Sequence, residues 1–295
     1  MKGRIVKGIA GFYYVHVEGK GIFECRARGI LRRKEIRPLV GDEVLLVEVE
    51  DTDRPGLSGH IEEILPRKNQ MIRPAVANVD QMLIVFACAY PEPDFNLIDR
   101  MLVSAGTYGV AVIICFNKSD LADEAGMNSL RETYETAGCG ICFTSVCTMD
   151  GFDGLYRILE GKTTVLSGPS GVGKSSMINK LVPEARMETG DLSRRIERGK
   201  QTTRHTELFP LAHNGYIMDT PGFSSVFLPE IEKEELAGYF PEFDRFFEGC
   251  RFRGCAHLEE PGCAVKAAVE EGLIPASRYD NYKLFYEELK NRRKY

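Results

Sequence analysis

Three short clusters in this chain have residue types and spacing suited to nucleotide chemistry. Thr164-Val165-Leu166-Ser167 runs into Gly168-Pro169-Ser170-Gly171-Val172-Gly173-Lys174-Ser175, followed by Ser176 and an apolar stretch. The glycines permit a tight loop whose backbone N–H groups converge on an anion. A helix after it points its positive end the same way, and Lys174 adds an ammonium for the β and γ phosphates. Ser175 is the expected Mg²⁺ ligand in that loop. Upstream, Asn117-Lys118-Ser119-Asp120 ends an apolar run. A carboxylate there accepts from the N1 and exocyclic amine donors that guanine has and adenine lacks, and the Asn amide satisfies guanine edge atoms. Downstream, Asp219-Thr220-Pro221-Gly222 offers a carboxylate to hold Mg²⁺ through water and, at Gly222, a close backbone amide for a γ-phosphate.

Around these clusters, Gly190 to Thr206 is polar, rich in Arg and Thr and poor in apolar residues, the composition expected of a mobile switch. Thr203, ahead of Thr202, is the candidate to complete the Mg²⁺ shell. Phe223 follows Gly222 where Ras-like enzymes carry Gln, so slow unassisted hydrolysis is expected. The catalytic candidates are Lys174, Thr203 and Gly222, with the attacking water held by Gln201, by His205 or by a residue that a partner orders.

A second chemistry is written in Cys250-x4-Cys255-x-His257-x5-Cys263, broken by Gly249, Gly254, Pro261 and Gly262. Three thiolates and one imidazole in a Gly/Pro-rich knuckle suit a tetrahedral ion, and the closed donor set predicts one structural Zn²⁺ with no position left for a catalytic water. Redox or inert thiols are the alternative. Cys139-Gly140-Ile141-Cys142 shares the x2 spacing but lacks a second ligand pair and reads as packing. Cys25, Cys88, Cys115 and Cys147 sit on or beside apolar runs, where free cysteine behaves as a small hydrophobe. His16, His60 and His213 carry no partner pattern.

The elements that must position these groups follow from periodicity. Arg4 to Ile9, Phe12 to Val17, Gly21 to Arg26, Glu43 to Val49 and Gly59 to Leu65 read as strands separated by Gly-containing turns, predicting a small barrel over residues 1–67; an OB-like barrel fits, as do other small barrels. From Gln81 the pattern becomes alternating. Strands are expected at Met82 to Phe86, Val110 to Phe116, Ile141 to Thr144, Thr164 to Ser167 and Tyr216 to Asp219. Helices are expected near Leu97 to Ala105, Met127 to Thr136, Phe152 to Leu159 and Lys174 to Leu181. Residues 68–226 therefore predict a doubly wound α/β sheet with its motifs at strand ends. Residues 227–295 predict a mostly helical, cysteine-containing domain closed by an amphipathic helix from about Ser277, with Tyr279, Tyr282, Phe285, Tyr286 and Leu289 on its core stripe.

Composition sets outer bounds. At 295 residues the chain suits two or three domains, and three are expected. Its net charge of −5 excludes a general field attraction to nucleic acid, so an RNA partner requires local basic patches such as Arg26 to Arg37 or Lys290 to Lys294. The start lacks the apolar stretch of a signal peptide and no apolar run could span a bilayer, predicting a cytoplasmic protein with no membrane partner. Nine cysteines in such a chain argue against a disulfide scaffold.

The reversed order of the motifs, guanine reader before phosphate loop, looks like that of a circularly permuted Ras-like P-loop GTPase. Ser145, in Phe143-Thr144-Ser145-Val146, sits where GTPases place the loop whose backbone supports the guanine ring. With the strand-rich front and the Cys250, Cys255, His257, Cys263 set added, the whole chain resembles the ribosome small subunit-dependent GTPase A family (RsgA, also YjeQ or YloQ). That resemblance implies an N-terminal OB-fold, binding to the 30S subunit and its 16S rRNA late in maturation, and GTP hydrolysis stimulated by the subunit; a monomer is expected. The family usually carries His directly before the Thr-Thr pair; Gln201 stands there, able to orient water but not to act as a general base. Two rival readings stay open: a P-loop ATPase or kinase in which Asp120 is accidental, and an RNA-binding protein with a structural nucleotide.

Overall fold

The computed structural model describes residues 1–28, 37–49, 57–72, 74–183, 207–219 and 227–292. Alternating side chains build the front of the chain. Strands β1 (Lys2–Ile9), β2 (Phe12–Val17), β3 (Gly21–Ala27), β4 (Glu43–Val49) and β5 (Ser58–Ile64) close a barrel in the order β1-β2-β3-β5-β4. Val15, Val17, Phe23, Cys25, Val44, Leu46, Ile5 and Ile61 fill it, while Leu45, Val47 and Val49 on the other face of β4 are exposed; this is the period of two expected of strands with one buried face. A short pair, β6 (Gln70–Met71) and β7 (Val76–Ala77), follows the barrel. Buried Asp42 anchors this junction, accepting from Arg67 Nε at 2.6 Å, Arg67 Nη2 at 2.8 Å and Leu39 N at 2.7 Å.

Strands β8 (Gln81–Ala87), β9 (Ala111–Asn117), β10 (Gly140–Phe143), β11 (Thr163–Ser167), β12 (Leu208–Pro210) and β13 (Tyr216–Asp219) form a sheet of order β10-β9-β8-β11-β13-β12. β9 and β10 run parallel, as do β11 and β13, whereas β12 is antiparallel to β13. Every residue of β8 is buried, as a strand covered on both faces requires. Helices α1 (Phe95–Thr107), α2 (Glu124–Tyr134), α3 (Phe152–Leu159) and α4 (Lys174–Leu181) alternate with the strands. Asp94 caps α1 through Leu97 N at 3.0 Å and Asp123 caps α2 through Gly126 N at 2.8 Å. Among the described residues no helix is long and apolar enough to cross a membrane.

The chain divides into two compact units: residues 1–83 with 153–222, and residues 84–152 with 223–295. In the first, the barrel is tied to β12 and β13. Lys7 Nζ donates to Glu207 Oε2 at 2.8 Å, His16 Nδ1 and the Tyr216 hydroxyl are hydrogen-bonded at 2.9 Å, and the Arg4 guanidinium lies 4.9 Å above the Tyr216 ring. Burial lowers the His16 pKa and favours its neutral ring.

In the second unit, 3-10 turns at Lys233–Tyr239, Pro241–Phe243 and Phe247–Gly249 precede α5 (Ala264–Glu270) and α6 (Ala276–Asn291). Phe240, Phe243, Tyr282, Phe285 and Val265 form its core. A buried charge cluster joins α6 to α1: Arg278 donates to Asp99 Oδ1 at 2.6 Å and to Glu242 Oε1 and Oε2 at 2.7 and 3.1 Å, and Asn281 Nδ2 donates to Asp99 Oδ2 at 2.7 Å.

Candidate functional site

The guanine motif is built at the end of β9. Asn117 is its last residue and is buried; Thr144 Oγ1 donates to Asn117 Oδ1 at 3.2 Å, and the Asn117 carbonyl accepts from Cys88 N at 2.8 Å. Lys118 turns the chain with a left-handed φ of 59°, and its Nζ donates to the Tyr90 carbonyl at 2.8 Å. Asp120 follows in an exposed 3-10 turn. The buried Ser145 hydroxyl donates to Asp120 Oδ1 at 2.5 Å and accepts from Cys147 N at 3.2 Å and Thr148 N at 3.1 Å. One hydroxyl therefore fixes the carboxylate and folds the loop beneath it, which orients Asp120 before any base arrives. That loop closes at Gly151, whose φ is 76° and where a Cβ would lie 1.9 Å from the Phe143 carbonyl oxygen, so only glycine fits.

Thr144, the Tyr90 carbonyl and Gly151 were not singled out in the sequence. Thr144 and Gly151 flank Ser145 closely enough to have been suspected; nothing in the sequence points to Tyr90. The expectation for Cys147 is corrected: it is exposed, because the turn made by its own N–H to Ser145 carries it out of the sheet. Cys25, Cys88 and Cys115 are buried, and burial pushes the Cys25 and Cys88 thiols up to about 12.

The phosphate motif occupies the turn from β11 into α4. Ser167 and Gly168 are buried, whereas Ser170 and Gly171 are exposed. Gly173 enters the helix at φ 98°, a left-handed conformation that glycine adopts without a Cβ clash. No side chain caps this helix start, so its positive end is presented to the loop. Lys174 Nζ donates to the Gly168 and Pro169 carbonyls at 2.8 and 2.6 Å, which lays the ammonium back across the loop. Val172 is buried and pins the loop from beneath; Ser175 and Ser176 are half-buried on the first turn of α4. Asp219 ends β13, paired in register with Leu166 of the phosphate-loop strand. Gln201, Thr202, Thr203, His205, Gly222 and Phe223 lie outside the described residues.

The cysteine and histidine set converges. The ligand atoms of Cys250, Cys255, His257 and Cys263 all lie within 4.8 Å of one another. His257 Nδ1 is 3.4 Å from Cys263 Sγ and 3.7 Å from Cys250 Sγ, and those two sulfurs are 4.0 Å apart. A tetrahedral ion with metal–sulfur bonds of about 2.3 Å would set sulfur–sulfur edges of about 3.8 Å, so the donor set fits such an ion. His257 is buried and stacks on Phe247 at 5.1 Å. The α6 tyrosines, expected as core packing, also hold the knuckle: Tyr279 donates to the His257 carbonyl and Tyr282 to the Ala256 carbonyl, each at 2.7 Å. Glu260 accepts from Ala256 N at 2.7 Å and Leu258 N at 2.9 Å. Burial and the neighbouring Cys263 thiol push the Cys255 thiol up to about 12, the opposite of what a bound cation does to its ligand.

Of the basic patches, Arg26 lies 4.6 Å over the Phe12 ring and Arg28 pairs with Glu62 at 2.8 Å; residues 29–36 and 293–295 are outside the described residues.

A guanine motif that precedes the phosphate loop along one sheet gives the architecture of a circularly permuted GTPase. The model of the RsgA GTPase domain matches residues 64–229, and that of the RsgA N-terminal domain matches residues 2–55. The chain is 52 % identical to a small ribosomal subunit biogenesis GTPase RsgA of Agathobacter rectalis, with 100 % of each covered. It is 47 % identical to one of Alkaliphilus metalliredigens, covering 100 % of this chain and 99 % of the relative. Among solved structures, YloQ, described as a circularly permuted GTPase, matches with a TM-score of 0.79 at 38 % identity over 100 % of this chain and 96 % of its own. YjeQ from Thermotoga maritima matches with a TM-score of 0.79 at 36 % identity over 99 % of each. The chain belongs to the RsgA GTPase family, a family of GTP-hydrolysing enzymes.

Proposed function

We propose that this protein hydrolyses GTP as a biogenesis factor of the small ribosomal subunit, binding the 30S particle through rRNA in the cytoplasm and being stimulated by it. The relatives' names and the full-length likeness support the partner. The observation that carries the base specificity is the 2.5 Å hydrogen bond from Ser145 to Asp120, which aims a carboxylate acceptor as guanine's two donors require. Asn117, Lys118, Asp120 and Ser145 hold the base; Gly168 to Ser176 hold the phosphates, with Lys174 at the β and γ groups. Ser175, Asp219 and Thr203 share Mg²⁺, Gly222 senses the γ-phosphate, and Gln201 orients water. The knuckle takes Zn²⁺ as a structural ion, because three thiolates and a buried imidazole suit that borderline-soft cation.

Work is divided among a barrel at 1–67, the switch at 68–226 and the knuckle domain at 227–295. Arg292 donates to the Leu228 and Pro229 carbonyls at 2.9 and 2.8 Å, anchoring the segment into which the Gly222 loop leads. Loss of the γ-phosphate then releases a loop tethered to the knuckle domain. Competition between GTP and ATP, in the native chain and in Asp120→Asn, tests the site. Native protein should favour GTP strongly and the variant should lose about 1–3 kcal/mol of guanine affinity; an unchanged preference would refute the assignment.

A further inference from the structure

Between the first two metal-ligating cysteines the chain carries Arg251-Phe252-Arg253. All three residues are exposed, and Phe252 keeps 45 % of its surface in solvent. An isolated exposed aromatic needs no explanation, but this one lies on a loop held at its start and between two arginines in sequence. Arg251 N donates to the Gly262 carbonyl at 3.1 Å and Cys250 N to the Phe247 carbonyl at 3.1 Å, while Gly254 turns the chain back at φ 71°. The loop is thus fixed at its start by two backbone bonds and is bounded by Cys250 and Cys255 of the metal-binding set. The Arg251 guanidinium lies 5.6 Å from the Phe252 ring centroid. Among the described residues neither Arg251 nor Arg253 has a carboxylate partner.

We infer that this tip is a stacking finger for an unpaired base in single-stranded RNA, with Phe252 under the base and Arg251 and Arg253 on the flanking phosphates. Aromatic rings and guanidinium planes are the groups on which splayed-out bases stack. A finger ordered in advance by backbone bonds and a metal loses little conformational freedom on binding. A polyanion is favoured over a protein partner because two guanidiniums without a carboxylate partner flank Phe252 in sequence, on a chain whose net charge of −5 gives no general attraction to nucleic acid. This deepens the ribosome reading by naming a contact and its chemistry.

The chain contains no tryptophan, so Phe252→Trp in the full-length, metal-loaded protein is a single reporter at the tip. With a 12-nucleotide oligoadenylate as probe, saturable quenching of that indole is expected, whereas an abasic oligomer of equal length should bind without quenching. Phe252→Ala should bind oligoadenylate about tenfold more weakly, and Arg251→Gln with Arg253→Gln should lower the salt slope of log K by about 1.4, at about 0.7 per phosphate. Equal metal content and equal subunit-free GTP turnover verify the fold; if Phe252→Ala fails that control, the indole decides. No binding by native protein, no quenching, or unchanged affinity of a folded Phe252→Ala would each overturn the inference. Normal oligonucleotide binding with lost subunit binding would assign the tip to a protein instead. Absence of subunit-stimulated turnover would sink the ribosome reading and leave this binding intact.

Discussion

Arg278→Met removes the positive charge between Asp99 and Glu242 while keeping much of the side-chain volume. The three residues are 1 %, 0 % and 2 % exposed, and the guanidinium meets the carboxylates at 2.6 to 3.1 Å. Breaking a buried pair by removing one partner costs about 3–5 kcal/mol, because the charge left behind has neither water nor counterion. Two carboxylates are stranded here, which places the expectation at the upper end. Burial raises the Asp99 carboxyl, and the Arg278 charge and the Asn281 amide pull it down; without the guanidinium it rises further. A carboxyl raised above its unfolded value of about 3.9 penalises folding above that pH, and the penalty disappears as pH falls through the raised value. The deficit should therefore be largest near neutral pH and shrink on acidification. Urea unfolding of the metal-loaded chain at fixed nucleotide, followed by circular dichroism and metal release, reads it. Replacing Asp99 by Asn and Glu242 by Gln alongside Arg278→Met should restore most of the loss. A deficit below about 1 kcal/mol, or one equal at acid and neutral pH, would refute the reasoning.

Other consequences can be checked with simpler assays. Lys174→Ala should abolish GTP hydrolysis, because the ammonium that lies across the loop is the group expected at the β and γ phosphates, as phosphate release at saturating GTP would show. Ser145→Ala should weaken GDP binding by about fivefold, the equivalent of one hydrogen bond of about 1 kcal/mol, measured by calorimetry. Stripping the metal with a strong chelator should unfold the knuckle and loosen α6. Tyr279→Phe with Tyr282→Phe should make that release faster, each loss leaving a carbonyl of the knuckle without its 2.7 Å donor.

Periodicity and motif carried different parts of the fold. Phe12–Val17, Glu43–Val49 and Tyr216–Asp219 match their expected bounds, and so do the helices Phe152–Leu159 and Lys174–Leu181, because alternation or a glycine start marks their ends in local sequence. The short strand Leu208–Pro210 was not expected: it ends in proline and exists through its pairing with β13, a non-local cause. Likewise the 3-10 turns after Lys233 follow from packing around Phe240 and Phe243 rather than from a helical period. The tyrosine stripe of α6 was legible as a buried face, but its hydroxyl bonds to the knuckle depend on how the metal loop folds back. The convergence of Cys250, Cys255, His257 and Cys263 was readable because all four lie close along the chain. The Asp99, Glu242 and Arg278 cluster was not, since its members are far apart and isolated charges carry no spacing signal.

The most direct test of the central claim is GTP turnover by the purified chain with and without 30S subunits. The account predicts slow release of phosphate alone, a rise of roughly tenfold or more with saturating subunits, and no rise with ATP. Equal rates with and without the subunit, or faster turnover of ATP than of GTP, would contradict it.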